Sequence, residues 1–104
     1  LPILRAKEYI AAHCESPCTL NEVAAYVHLS PAYFSSQFKK RVGISFNRYV
    51  TAAKLDVAKQ LLKQSDDTVE AISLSVGYKD IKYFRKLFKQ QVGITPSRYR
   101  SIYR

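Results

Sequence analysis

The chain has 104 residues, 47% of them apolar, and carries 17 Lys and Arg against eight Asp and Glu, a net charge of +9. That size holds one or two small domains, the apolar share excludes a disordered chain, and no apolar run approaches the roughly 20 residues of a membrane span. Strong basicity points to a polyanionic partner: nucleic acid, an anionic membrane surface or an acidic protein.

The periodicity is helical throughout. No stretch alternates in the manner of a strand, so no sheet is expected. Residues 2–14 are expected to form a first helix, with Ile3, Ala6, Ile10 and Cys14 on one face. "ESPC" breaks it. Thr19 opens a second helix with Glu22 at the capping-box spacing; Leu20, Val23, Ala24 and Val27 are its apolar face. Ser30 and Pro31 start a third helix, Ser as N-cap and Pro in the first turn. It is expected to bury Tyr33, Phe34, Phe38 and Val42 and to stop near Gly43. Ser45 caps a longer fourth helix over 46–64. Its inward set reads Phe46, Tyr49, Val50, Ala53, Val57, Ala58, Leu61 and Leu62.

The pattern then returns. Thr68 caps a fifth helix with Val69, Ile72 and Val76 inward, and Gly77 turns the chain. A sixth helix begins around Lys79–Asp80, carries Tyr83, Phe84, Leu87, Phe88 and Val92, with Phe84, Leu87 and Phe88 as its buried stripe, and ends at Gly93. Thr95 and Pro96 start a seventh containing Tyr99 and Ile102. From "AYFSSQFKKRVGISFNRY" to its second copy the offset is a constant 50, pairing Phe34 with Phe84, Phe38 with Phe88 and Tyr49 with Tyr99. Upstream the offset is 49, pairing Val23 with Ile72 and Val27 with Val76. One residue has therefore entered the turn region of the second copy. The expected fold is all-α: seven helices forming two helix-turn-helix subdomains, 1–50 and 66–104, joined by a long central helix over 46–64.

In such a unit the second helix can lie in the DNA major groove while the first braces it. Those second helices span about 31–42 and 80–91. On the sixth helix Lys82, Arg85, Lys86 and Lys89 recur at 0, +3, +4 and +7, one face opposite the apolar stripe. The equivalent face of the third helix is Ala32, Ser35, Ser36 and Lys39. Residues 1–50 have a net charge of +3 and residues 51–104 +6. A central helix of about 20 residues is about 30 Å long, against about 34 Å for a turn of B-DNA. One chain could therefore reach two successive major grooves.

The two stretches "AYFSSQFKKRVGISFNRYV" and "IKYFRKLFKQQVGITPSRYR" resemble the two halves of the DNA-binding domain of AraC/XylS-family transcriptional regulators. The resemblance runs from about Ile3 to Arg100. "GYKDIKYF" is similar to versions found as output domains of two-component response regulators. Lys79, Ser73 and Lys54 depart from the family pattern, which commonly has a capping Ser, a small Ala and an Arg at those places. The resemblance implies base contacts from Ala32, Ser35 and Ser36 in the first unit and Ile81, Lys82, Arg85 and Lys86 in the second. Arg and Lys can donate to guanine, and Ala32 and Ile81 can pack on a thymine methyl. The candidate phosphate contacts are Lys39, Lys89, Arg48 and Arg98, together with the helix starts at Thr19, Ser45, Thr68 and Thr95.

The expected partner is a double-stranded DNA operator, read by a cytoplasmic regulator with no membrane contact. The resemblance implies RNA polymerase as a second partner. Because the chain opens at Leu1 next to a helix, it reads as part of a longer regulator, with an N-terminal sensory, receiver or dimerisation domain elsewhere. No cofactor or metal is expected: His13, Cys14 and Cys18 fall short of the four ligands of a closed zinc site. Catalysis is not expected either, since the chain lacks a Gly-rich phosphate loop and a Ser/His/Asp set. The competing reading is a helical protein–protein interaction module, which steep salt dependence of DNA binding would separate from the first. RNA fits poorly, because its deep, narrow major groove excludes a helix.

Overall fold

The computed structural model describes residues 1–104 as seven α-helices with no strand: α1 Pro2–Ala12, α2 Leu20–Tyr26, α3 Pro31–Val42, α4 Phe46–Gln64, α5 Val69–Ser75, α6 Ile81–Val92 and α7 Pro96–Tyr103. They divide into two compact units, Leu1–Ala53 and Lys54–Arg104. The boundary falls inside α4. The first part of α4 closes the first unit and the rest opens the second, so each unit is an entering helix, a helix-turn-helix pair and a closing helix.

The first core gathers Ala6 and Ile10 of α1, Val23 and Ala24 of α2, Phe34 and Phe38 of α3, and Phe46 and Val50 of α4. Phe34, Phe38 and Phe46 form a ring triangle with centroids 5.5–5.7 Å apart, and Tyr49 meets Phe38 edge-on at 5.3 Å. The second core holds Leu55, Ala58, Leu62, Val69, Ile72, Val76, Phe84, Phe88 and Tyr99. Phe88 meets Tyr99 at 5.7 Å, repeating the Phe38–Tyr49 pair. Buried Pro96 stands where the first unit has Phe46, so the third ring of the triangle is missing there.

The chain reversals are the same in both units. Val27 and Val76 are the C-caps of α2 and α5. His28 and Gly77 follow with φ of 62° and 88°, in the left-handed region. Their N–H groups donate to Ala25 and Leu74 oxygens, and the N–H groups of Leu29 and Tyr78 donate to Ala24 and Ser73 oxygens. That is a Schellman motif at each turn. The extra residue of the second copy lies beyond it: Ser30, two positions after His28, caps α3, whereas Asp80, three after Gly77, caps α6. Left-handed backbone suits glycine and strains a residue with a Cβ. His28→Gly is therefore expected to stabilise the first unit by up to about 1 kcal/mol, and Gly77→Ala to destabilise the second by about as much. Urea denaturation of each variant measures both.

Three expectations change. α1 ends at Ala12, not at residue 14, because the His13 carbonyl takes the Ser16 N–H at 3.0 Å and the Cys18 thiol at 3.1 Å, and no longer serves a helical turn. Tyr33 and Tyr83 are about half exposed, so they are not core residues. Val57 is exposed, while Leu55 and Lys54 are buried. The Lys54 ammonium donates to the Val76 carbonyl at 3.1 Å, satisfying the end of α5 beside the turn. Ser73, fully buried, donates its hydroxyl to the Tyr78 carbonyl at 2.7 Å. Both departures from the family pattern thus support the second turn. Arg100 of α7 donates to the carbonyls of Leu62 and Ser65, closing the C-terminus of α4. Arg104 pairs with Asp66 and, by its hydrogen bond and then its charge, holds that carboxyl below its ordinary value.

Candidate nucleic-acid interface

Each helix-turn-helix pair fixes one outward face. In α6 the ring stripe Phe84 and Phe88 is fully buried, which turns Lys82, Arg85, Lys86 and Lys89 to solvent. Asp80 aims the start of this helix: its carboxylate accepts the Tyr83 N–H at 3.2 Å. Ile81, the first residue of α6, is half-buried. Lys79, standing at the family's capping position, is exposed, and Asp80 does the capping.

The α3 face is built alike and charged differently. Phe34 and Phe38 are fully buried. Ala32, Ser36 and Lys39 are exposed and Ser35 is half-buried. The Ser30 hydroxyl accepts the Tyr33 N–H at 3.3 Å. The early outer face of α3 is therefore small and neutral, whereas that of α6 carries three cations by Lys86.

The remaining polar candidates sit at helix starts. The hydroxyls of Thr19, Ser45, Thr68 and Thr95 accept the N–H groups of Glu22, Arg48, Ala71 and Arg98 at 3.1–3.2 Å. Each is an N-cap. An accepting hydroxyl keeps its own proton to donate, so capping leaves each free to meet a phosphate oxygen. Arg48 and Arg98 are exposed in the first turns of α4 and α7, equivalent places in the two units. Lys89 lies in the last turn of α6, as Lys39 does in α3.

One contact was not readable from spacing. Arg85 of α6 faces Glu70 of α5, Nη2 to Oε1 3.8 Å, with both side chains about half exposed. No sequence pattern pairs residues 15 apart on two different helices. The half-exposed tyrosines Tyr33 and Tyr83, third in their helices, also border the outward faces.

The chain matches the family model described as "Helix-turn-helix domain" over residues 23–102. It is 41% identical to the regulatory protein PocR of Salmonella typhimurium over 92% of its own length, and spans 32% of PocR. Among solved structures, the C-terminal domain of AraT, a response regulator from Geobacillus stearothermophilus, superposes with a TM-score of 0.94 at 33% identity, covering 97% of this chain and 84% of that one. A transcriptional regulator from Chromobacterium violaceum with an AraC-type DNA-binding domain matches with a TM-score of 0.90 at 26% identity, covering 96% of this chain and 89% of that one. Two helix-turn-helix units sharing one helix, outward faces on their second helices and these likenesses agree: the chain belongs to the AraC family of helix-turn-helix transcriptional regulators, as a DNA-binding domain of that family.

Proposed function

We propose that the domain binds an asymmetric duplex DNA site, with α3 and α6 in successive major grooves. The observation that carries this is the outward stripe of α6: four exposed cations opposite a fully buried Phe pair, on the second helix of the motif. α4, which enters both cores, has 19 residues, about 28 Å of helix, close to a turn of B-DNA. The base-reading set is Ala32, Ser35 and Ser36 on α3 and Ile81, Lys82, Arg85 and Lys86 on α6. Lys39, Lys89, Arg48, Arg98 and the caps Thr19, Ser45, Thr68 and Thr95 hold phosphates and set the register.

The whole regulator acts in the cytoplasm in this reading; no helix here is long and apolar enough to cross a membrane. Its other part senses a signal, receives a phosphoryl group or dimerises, and the DNA-bound protein meets RNA polymerase. The likeness to a response-regulator C-terminal domain supports an output role under a receiver.

Selection from randomised duplexes followed by footprinting tests the proposal. An asymmetric protected site over two adjacent grooves supports it. Protection of one groove shows a single working unit, and no enrichment overturns it. Within the winning site, Arg85→Ala is expected to cost about 1–3 kcal/mol of binding and to relax one base position. Ser35→Ala should cost less, since a hydroxyl discriminates weakly. Titrations of both variants by fluorescence anisotropy check the order, and an equal or larger loss from the Ser change counts against the division of labour.

A further inference from the structure

We propose that Glu70 is a positioning residue that sets how sharply Arg85 discriminates among bases; this rests on the reading of α6 as a base-reading helix. Three observations carry it. Among the four cations of the α6 stripe, Arg85 is the one with a carboxylate within 4 Å, and that carboxylate comes from the other helix of the pair. Its neighbours on the same face, Lys82 and Lys89, stand three residues before and four after it, so like charges surround it along its own helix. Glu70 is the opposing group that gives the guanidinium a direction.

The third observation is internal to the chain. At the repeat offsets of 49 and 50, Glu70 corresponds to Asn21 and Arg85 to Ser35. The unit with an Arg on its outward face has a Glu on the bracing helix. The unit with a Ser there has an Asn. The carboxylate accompanies the guanidinium it faces.

The 3.8 Å separation with both groups half exposed makes this a screened ion pair and not a fixed hydrogen bond. Two effects follow. Arg85 samples fewer rotamers before DNA arrives, so less side-chain freedom is lost on binding. A carboxylate beside the groove also repels phosphates on any sequence. That penalty falls on every duplex alike and lowers affinity overall, so the gain in discrimination comes from the pre-oriented guanidinium.

A carboxylate in the first turn of α5 also suits the helix dipole. A double-mutant cycle separates the two roles, because the dipole effect does not depend on Arg85. In Glu70→Gln, discrimination at the base position relaxed by Arg85→Ala is expected to fall about threefold to fivefold, and affinity for random duplex to rise about twofold. In the Arg85→Ala background, Glu70→Gln should leave base discrimination unchanged. In the free domain, NMR relaxation of the Arg85 Nε–H should show lower order once Glu70 is Gln. Undiminished discrimination in Glu70→Gln, or a loss of the same size without Arg85, overturns this inference alone. A wild-type domain that selects no sequence overturns the DNA reading, and this inference with it.

Discussion

Phe88→Ala is expected to unfold the second unit while the first persists. Phe88 is fully buried between Phe84, 6.0 Å away, and Tyr99, 5.7 Å away. Removing such a ring costs about 3–5 kcal/mol, as lost transfer free energy plus the cavity left behind. The unit has 51 residues, Lys54–Arg104, and at about 0.05–0.15 kcal/mol per residue its whole stability is about 3–8 kcal/mol. The substitution therefore consumes most of what holds the unit together. A proton–nitrogen NMR spectrum should lose the dispersed signals of α5, α6 and α7 and keep those of α1, α2 and α3. Phe38→Ala should do the reverse. Tyr83→Ala is the control. Its ring is half exposed, so it should stay within about 0.5 kcal/mol of the parent despite standing beside Phe84. Collapse of both units from either Phe change would show one cooperative block in place of two cores.

That control touches a place where the chain's own repetition misleads. Tyr33 and Tyr83 recur at the offset that pairs Phe34 with Phe84, and recurrence reads as scaffold. Recurrence says only that both copies need the residue. Burial follows from the helix angle, and one residue from Phe34 or Phe84 is a turn of 100° away from the core. Where the 3.6-residue period was followed strictly, as for Phe34, Phe38, Phe84 and Phe88, the buried set is the one that spacing indicates.

The fourth helix was harder for a related reason. Its buried residues run Phe46, Val50, then Lys54, Leu55, Ala58 and Leu62. The four-residue stride Phe46, Val50, Lys54, Ala58 and Leu62 runs unbroken, and Leu55 joins it where the helix leaves the first core and enters the second. Val57 lies on the parallel stride Tyr49, Ala53, Val57 and Leu61, whose other members are half-buried at the flank of the cores, and it is exposed. No pattern within one helix announces that it serves two cores. Lys54 was hidden further, because a lysine reads as surface. It is tolerated inside since its ammonium reaches the Val76 carbonyl, a partner 22 residues on. The outward faces of α3 and α6 were legible because they depend only on the helical period. The Glu70–Arg85 pair was not, because it depends on how two helices pack around the turn.

Charge on α6 should dominate the salt dependence of binding. Each phosphate neutralised contributes about 0.9 to the slope of log affinity against log salt on duplex DNA. Lys82, Lys86 and Lys89 are exposed on one face, and converting all three to Gln should flatten the slope by about 0.9 for the phosphate contact of Lys89, and by up to about 2.7 if Lys82 and Lys86 neutralise phosphates as well as reading bases. Referred to 1 M salt, one such contact is worth about fivefold at 0.15 M, so three are worth about 10²-fold. That is comparable to the upper end of the about 1–3 kcal/mol that a single base contact supplies. The small face of α3 makes the opposite expectation. Ser35→Ala with Ser36→Ala should leave the slope unchanged and alter only which sequences are preferred, since neither side chain carries charge. Titrations of the three proteins on one operator between 50 and 300 mM KCl decide the matter. Equal slopes for the parent and the triple Gln variant would mean that the α6 lysines are a solvated face, and that the affinity lies in Arg48, Arg98 and the helix starts. A slope that falls for both variants would mean that the two units do not divide affinity and selectivity between them.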